Sequence, residues 1–335
     1  MKPVFFGCAG PVLSQTERAF FNKEKPAGFI LFTRNVESRE QLATLTSDLK
    51  KSVGRHKVPI LIDQEGGRVQ RMTAPVWRKY PAMKVFGDMA LENPTLAASA
   101  LRLNCRLIAD DLRRVGINVN CLPLLDVLHD GTDNSIGDRA FSNEPGLVAA
   151  LGRITVDALK EGGVLPIIKH MPGQGRAEQD SHHDLPEINI QQGSFEKIDL
   201  APFQTLKDAP FGMISHCVYT QTDPENPATL SRLVIARLIR MKIGFRGLLI
   251  TDDISMGALA GDVEDNAVAA LNAGCDLVLH CNGNMDEMQK IASRIKVNEN
   301  GLEKRIANLV RQVERAPMID RGDLVRRYKE LMTKF

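Results

Sequence analysis

Eight short apolar runs of strand length recur along this chain, at 4–8, 28–32, 59–63, 118–122, 165–169, 211–215, 247–251 and 276–281, with helix-periodic segments between them. Near-continuous apolar strands suit a parallel sheet covered on both faces, because neither face meets water. Strands that alternate with helices leave two architectures, an open doubly wound sheet or a closed barrel. The open sheet would be favoured by a Gly-x-Gly-x-x-Gly turn after the first strand, which the chain lacks. The expected fold is therefore α/β, a TIM-type (β/α)8 barrel. At 335 residues one such barrel accounts for the whole length. We expect 1–335 to be a single domain, with additional C-terminal helices from about residue 300 in the charged stretches EKRIANLVRQVERA and RGDLVRRYKELM.

The helical segments carry their own punctuation. Leu101, Cys105, Ile108, Leu112 and Val115 recur every three to four residues and predict one buried stripe, with Arg102, Arg106, Asp110 and Arg113 outside it. Ser14 and Glu17 have capping-box spacing, and Ser231 is placed to cap the helix that follows PATL.

Composition narrows the function classes. Lys and Arg total 43 against 41 Asp and Glu, and no basic stripe interleaved with aromatics occurs, so neither a nucleic-acid nor a membrane partner is expected. Gly and Pro soon interrupt the apolar residues of MKPVFFGCAGPVLSQTERAFF, which lacks both a secretory cleavage pattern and a span of about 20 apolar residues. The six cysteines (8, 105, 121, 217, 275 and 281) have no paired spacing. They read as buried, reduced thiols, and the expected location is the cytoplasm.

In barrels of this kind the chemistry sits where strands end and βα loops begin. Polar residues gather there: Asp63 in DQEGGRVQR, Lys169-His170, Ser215-His216 and Thr251-Asp252-Asp253. One such residue could be a solvated strand end; four such ends on one rim argue for a site. Asp252, delivered by a buried strand, suits a nucleophile or a stabiliser of positive charge, while Asp253 or Ser255 could cap the next helix. The loop 171–186 holds Asp180 and His182, whose spacing lets both side chains share one face of an extended segment. The carboxylate would orient the imidazole and favour its protonated form, as a general acid/base near neutral pH requires. Gly173 and Gly175 suggest a hinge, and the polar residues after them suggest a loop with few apolar anchors. Asp126 and Arg139 are rim candidates that could equally form structural ion pairs. The histidines lack the paired spacing of a zinc site, so neither metal nor cofactor is expected.

These motifs resemble family 3 glycoside hydrolases, and within them the single-domain bacterial β-N-acetylhexosaminidases of peptidoglycan recycling. The likeness runs through GFILFTRN, LIDQEGGRVQR, LPLLDV, IGDRAF, KHMPGQGRAEQDSHHDLP, PATLS and GFRGLLITDDISM. The stretch 238–255 fits the family's active-site signature. The resemblance implies Asp252 as nucleophile, His182 as acid/base and Asp180 as its dyad partner, with Asp63, Arg71, Arg139, Lys169 and His170 holding the terminal sugar. It implies a retaining exo-β-N-acetylglucosaminidase acting on muropeptides that carry GlcNAc on 1,6-anhydro-N-acetylmuramic acid, a small-molecule substrate. The chain departs from many relatives at Gln174, where His is common, and at Met171, where Phe is common. Alternatives are a general exo-β-glycosidase for glucosides or xylosides, an inactive sugar-binding barrel, and a metal-dependent barrel hydrolase.

Overall fold

The computed structural model describes residues 1–181, 184–189, 192–298, 301–317 and 319–335. Eight parallel strands close into a barrel: β1 (Lys2–Phe6), β2 (Pro26–Leu31), β3 (Ile60–Ile62), β4 (Val119–Asn120), β5 (Leu165–Met171), β6 (Phe211–Ile214), β7 (Leu248–Asp253) and β8 (Leu277–His280). Each pairs with its sequence neighbour and β8 returns to β1, where Val4 stands opposite Val278. All eight apolar runs of the sequence are therefore barrel strands, in chain order.

The helices are α1 (Gln15–Glu24), α2 (Arg39–Ser52), α3 (Met83–Glu92), α4 (Pro94–Arg114), α5 (Pro145–Glu161), α6 (Gln192–Ile198) and α7 (Ala201–Thr205). They continue with α8 (Arg232–Val234), a π-helix over Ile235–Ile243, α9 (Val263–Ala273), α10 (Met285–Arg294), α11 (Leu302–Glu314) and α12 (Arg321–Met332). Both expected caps form. Ser14 accepts from Glu17 N while the Glu17 carboxylate accepts from Ser14 N, and Ser231 accepts from Val234 N.

Two apolar cores result. The larger lies between barrel and helices, and α4 supplies Leu101, Cys105, Ile108, Leu112 and the adjacent Val115 to it. Asp110 departs from the expected pattern, since it is buried rather than solvent-facing. Arg114 Nε holds it at 2.8 Å, and Arg321 at the start of α12 lands on it from a segment that the local period cannot foresee. The second core fills the barrel with Phe5, Ala27, Leu61, Val119, Leu165, Phe211, Leu248 and Leu277, and it also takes in Leu302, Ile306, Val310 and Val313 of α11. That helix thus plugs the N-terminal end of the barrel with its apolar stripe, leaving the opposite rim open for chemistry.

All six cysteines are free and buried, and burial pushes the Cys105 thiol up to about 12. Among the described residues no helix is long and apolar enough to cross a membrane.

Candidate active site

The residues singled out at separate strand ends converge. Asp63, Arg71, Arg139, Lys169, His170 and Asp252 all line one pocket at the C-terminal rim. Its deeper wall is apolar: Ile30, Met213, Leu279 and Cys281 belong to the packed barrel interior.

Charge is organised around two carboxylates. Asp63 ends β3, and a hairpin of Gln64–Gly66 with Val69–Gln70 then presents Glu65 and leads to Arg71. Lys169 Nζ lies 3.0 Å from Asp63 Oδ1 and 2.7 Å from Glu65 Oε1. Arg139 grips Glu65 with two parallel bonds of 2.8 Å, from Nε and Nη2, and donates a third from Nη1 to Ser135 O at 2.7 Å. Arg71 Nη2 approaches Asp63 Oδ2 at 3.3 Å, its guanidinium sits 5.1 Å from the Phe32 ring centre, and its buried Nε has no hydrogen-bond partner. Burial would raise the Asp63 and Glu65 carboxyls, but Lys169 with Arg71 at the first, and Arg139 with Lys169 at the second, hold both well below the ordinary range. Burial would likewise lower the Lys169 ammonium, and its two carboxylates instead raise it. The alternative left open for Arg139 resolves as both at once: it is a rim residue and it is ion-paired.

His170 is oriented from beneath. Its Nδ1 lies 2.7 Å from Asp126 Oδ2, and because a carboxylate only accepts, Nδ1 carries the proton and Nε2 is left for other contacts. Asp126 is fully buried and also accepts from the backbone of His170 and of Gln174. It therefore sets the site's geometry from behind the pocket wall.

Asp252 stands at the end of β7, with Oδ1 accepting from Asp253 N at 2.8 Å. Burial pushes its carboxyl up, yet His170, His216 and Lys169 nearby outweigh that and leave it below the ordinary carboxylate value. An ionised, partly desolvated carboxylate at a pocket wall is competent to attack an electrophilic carbon. His216 holds this strand end in place, with Nε2 2.9 Å from Asp253 O and Nδ1 2.7 Å from Thr229 Oγ1. Burial lowers the His216 imidazolium below its ordinary value, against the pull of Asp252.

Asp253 and Ser255 do not cap the next helix. Asp253 closes its own turn, accepting from Ser255 N, Ser255 Oγ and Cys281 N, and α9 begins only after Asp262. Asp180 is half-buried, next to the pocket-lining Ser181, whereas His182 lies outside the described residues.

The expectation of a weakly anchored, glycine-hinged loop fails for residues 171–177. Met171, Gln174 and Ala177 are buried, and Arg176 Nε is paired at 2.8 Å with the buried Asp199. Gly175 serves close approach: a Cβ there would meet Val127 O at 1.8 Å. Gly173 does occupy the region that favours glycine, at φ +132°.

The sequence reading passed over Glu65 although it lies within a quoted motif. The need for it shows only in the folded barrel, where the buried Lys169 and the largely buried Arg139 lean on the same carboxylate. Among the described residues no cluster of three or more His, Cys, Asp or Glu side chains could hold a metal ion.

Residues 9–316 match the glycosyl hydrolase family 3 N terminal domain. A beta-hexosaminidase of Bordetella avium is 37% identical over 284 residues, 84% of this chain and 80% of the relative. One from Xanthomonas axonopodis pv. citri is 37% identical over 298 residues, 87% of each chain. A crystal structure of NagZ from Neisseria gonorrhoeae in complex with N-trifluoroacetyl-D-glucosamine superposes with a TM-score of 0.87 at 31% identity, covering 99% of this chain and 96% of that one.

Proposed function

The chain belongs to glycosyl hydrolase family 3 and is a glycoside hydrolase, and from that premise we propose that it is a retaining exo-β-N-acetylglucosaminidase. Its relatives are beta-hexosaminidases, and a structural relative binds an N-acylated glucosamine, which supports a 2-acetamido sugar as the group released. The observation that carries the reading is a single blind pocket that combines an ionised Asp252 with a fixed array of charged hydrogen-bonding groups.

In this reading Asp252 attacks the anomeric carbon while protonated His182, paired with Asp180, gives its proton to the leaving oxygen through an oxocarbenium-like transition state. Neutral His182 then takes a proton from water, which hydrolyses the glycosyl-enzyme with net retention. Asp63, Arg71, Arg139, Lys169 and His170 hold the sugar hydroxyls; interactions that strengthen as charge develops raise kcat rather than merely tightening substrate binding. The substrate assigned is a GlcNAc–1,6-anhydro-N-acetylmuramic acid muropeptide met in the cytoplasm during peptidoglycan recycling. The family motifs support that assignment.

The test compares aryl β-N-acetylglucosaminide with aryl β-glucoside. A pocket built for the acetamido group favours the former strongly in kcat/KM, because a polar site left unmatched penalises the wrong analogue. Comparable values would give the general β-glycosidase reading. A fluorinated-sugar inactivator followed by peptide mapping is expected to label Asp252. Label on Asp253, or no adduct at all, would remove Asp252 from the nucleophile's role.

A further inference from the structure

The loop that carries the proposed acid/base is tied to the pocket by a chain of bonds to which the reaction above gives no part. Asp126 commits Oδ2 to His170 Nδ1 and Oδ1 to Gln174 N, each at 2.7 Å. Gln174 then directs its side-chain amide across the loop, donating from Nε2 to Ser181 Oγ at 3.2 Å. Gln174 is 3% exposed and Ser181 4%, and both line the pocket. In sequence Ser181 stands between Asp180 and His182. Behind this tie the loop is held by Arg176 on Asp199 and by Tyr219 Oη donating to Gly173 O at 3.0 Å, while Glu178 and Gln179, further along it, are exposed.

We propose that Gln174 is a positioning residue for proton transfer. Its amide fixes Ser181, which stands in sequence between the two residues proposed for the dyad. Its backbone N–H fastens the same loop to the carboxylate that orients His170. One buried carboxylate, Asp126, thus registers the sugar-binding wall and the acid/base segment against each other. An uncharged amide suits this task, because it keeps its donors and its acceptor at every working pH. A buried hydroxyl deprived of the amide has to find another partner or be left unpaired, which shifts the local backbone.

The inference rests on the assignment of His182 and Asp180 as the acid/base pair, and its test separates the two. Gln174→Met, Ser181→Ala and the double variant are compared with the wild type on an activated aryl β-N-acetylglucosaminide and on a GlcNAc disaccharide, whose poor leaving group needs protonation. A misplaced proton donor is expected to lower kcat/KM on the disaccharide roughly 10- to 100-fold. On the activated substrate kcat/KM should change by less than about threefold, which also reports that each variant is folded, while kcat and KM fall together because the misplaced base slows water attack on the glycosyl-enzyme. The double variant should be no worse than the more impaired single, because both changes break one tie. Equal losses on both substrates with a raised KM would make Gln174 a sugar contact and overturn the inference. Unchanged disaccharide turnover, or losses that multiply in the double variant, would overturn it as well. A wild-type enzyme inert on both substrates would instead overturn the underlying functional reading.

Discussion

Glu65 and Lys169, 2.7 Å apart at the mouth of the barrel, show how strongly single residues are coupled in this site. A buried ion pair adds little net stability over an apolar pair, but removing one partner leaves the other charge buried and uncompensated. Glu65→Gln strips Arg139 of its bidentate carboxylate and leaves Lys169 with Asp63 as its remaining carboxylate partner, so a loss of about 3–5 kcal/mol in unfolding free energy is expected by urea titration near neutral pH. The pH dependence has a definite sign. Glu65 and Asp63 are held below their ordinary values of 4.5 and 3.8, so their contribution is complete above those values and disappears as pH falls through the lower folded ones. Lys169 runs the other way, its contribution being complete below 10.5 and lost as pH rises through the higher folded value. The deficit of Glu65→Gln should therefore narrow as the titration is repeated from about pH 5 down to about pH 3, and a constant deficit would show that Glu65 is not held ionised by its partners. Sequence made Asp63, Lys169, His170 and Asp252 legible, since each interrupts or closes an apolar run. Glu65 and the role of Asp126 were not legible, because their partners lie 74 and 44 positions away and only closure of the barrel brings them together.

At the scale of elements, the barrel's two ends divide stability from chemistry. The stretch EKRIANLVRQVERA reads as an amphipathic helix from its spacing alone, yet nothing local says that its stripe closes the barrel's base. That partner exists only once the eight strands have joined. Ile306, 1% exposed on α11, packs with the interior residues of the barrel. Ile306→Ala should cost about 2–5 kcal/mol through lost burial and the cavity left behind. It should leave kcat/KM on an aryl β-N-acetylglucosaminide within about twofold, since the catalytic rim is at the other end. Urea midpoints and initial rates on the same preparation check both halves, and a large rate loss in the folded variant would mean that the base of the barrel transmits strain to the site. The same dependence on distant partners hid two other features: Asp110, buried by the arrival of α12, and residues 171–177, whose glycines read as a hinge although Gly175 packs closely against Val127.

For the molecule as a whole, closure at one end determines how a substrate can enter. The pocket wall formed by Ile30, Met213, Leu279 and Cys281 is continuous with the packed interior, and α11 seals the far end, so the site is a blind depression. Its lining is polar on the side of Asp63, Arg71, Arg139, Lys169 and His170, and Asp252 lies within it. A polysaccharide threaded through the site would need an exit beyond Asp252, and the packed barrel core occupies that space. The proposed exo reading seats the terminal sugar in this depression by its non-reducing end, with the bond to be broken facing the mouth and the aglycone outside. On that reading the order of release should hold whatever aglycone the enzyme prefers. With N-acetylglucosamine oligomers, the first product should be monomeric GlcNAc together with an oligomer one unit shorter, at every chain length that is cleaved. Its anomeric form, read by proton NMR before mutarotation, should be β, as double displacement at Asp252 requires. Release of disaccharides at the earliest times would mean that the pocket is open beyond Asp252, and α-GlcNAc as first product would exclude a glycosyl-enzyme on that residue.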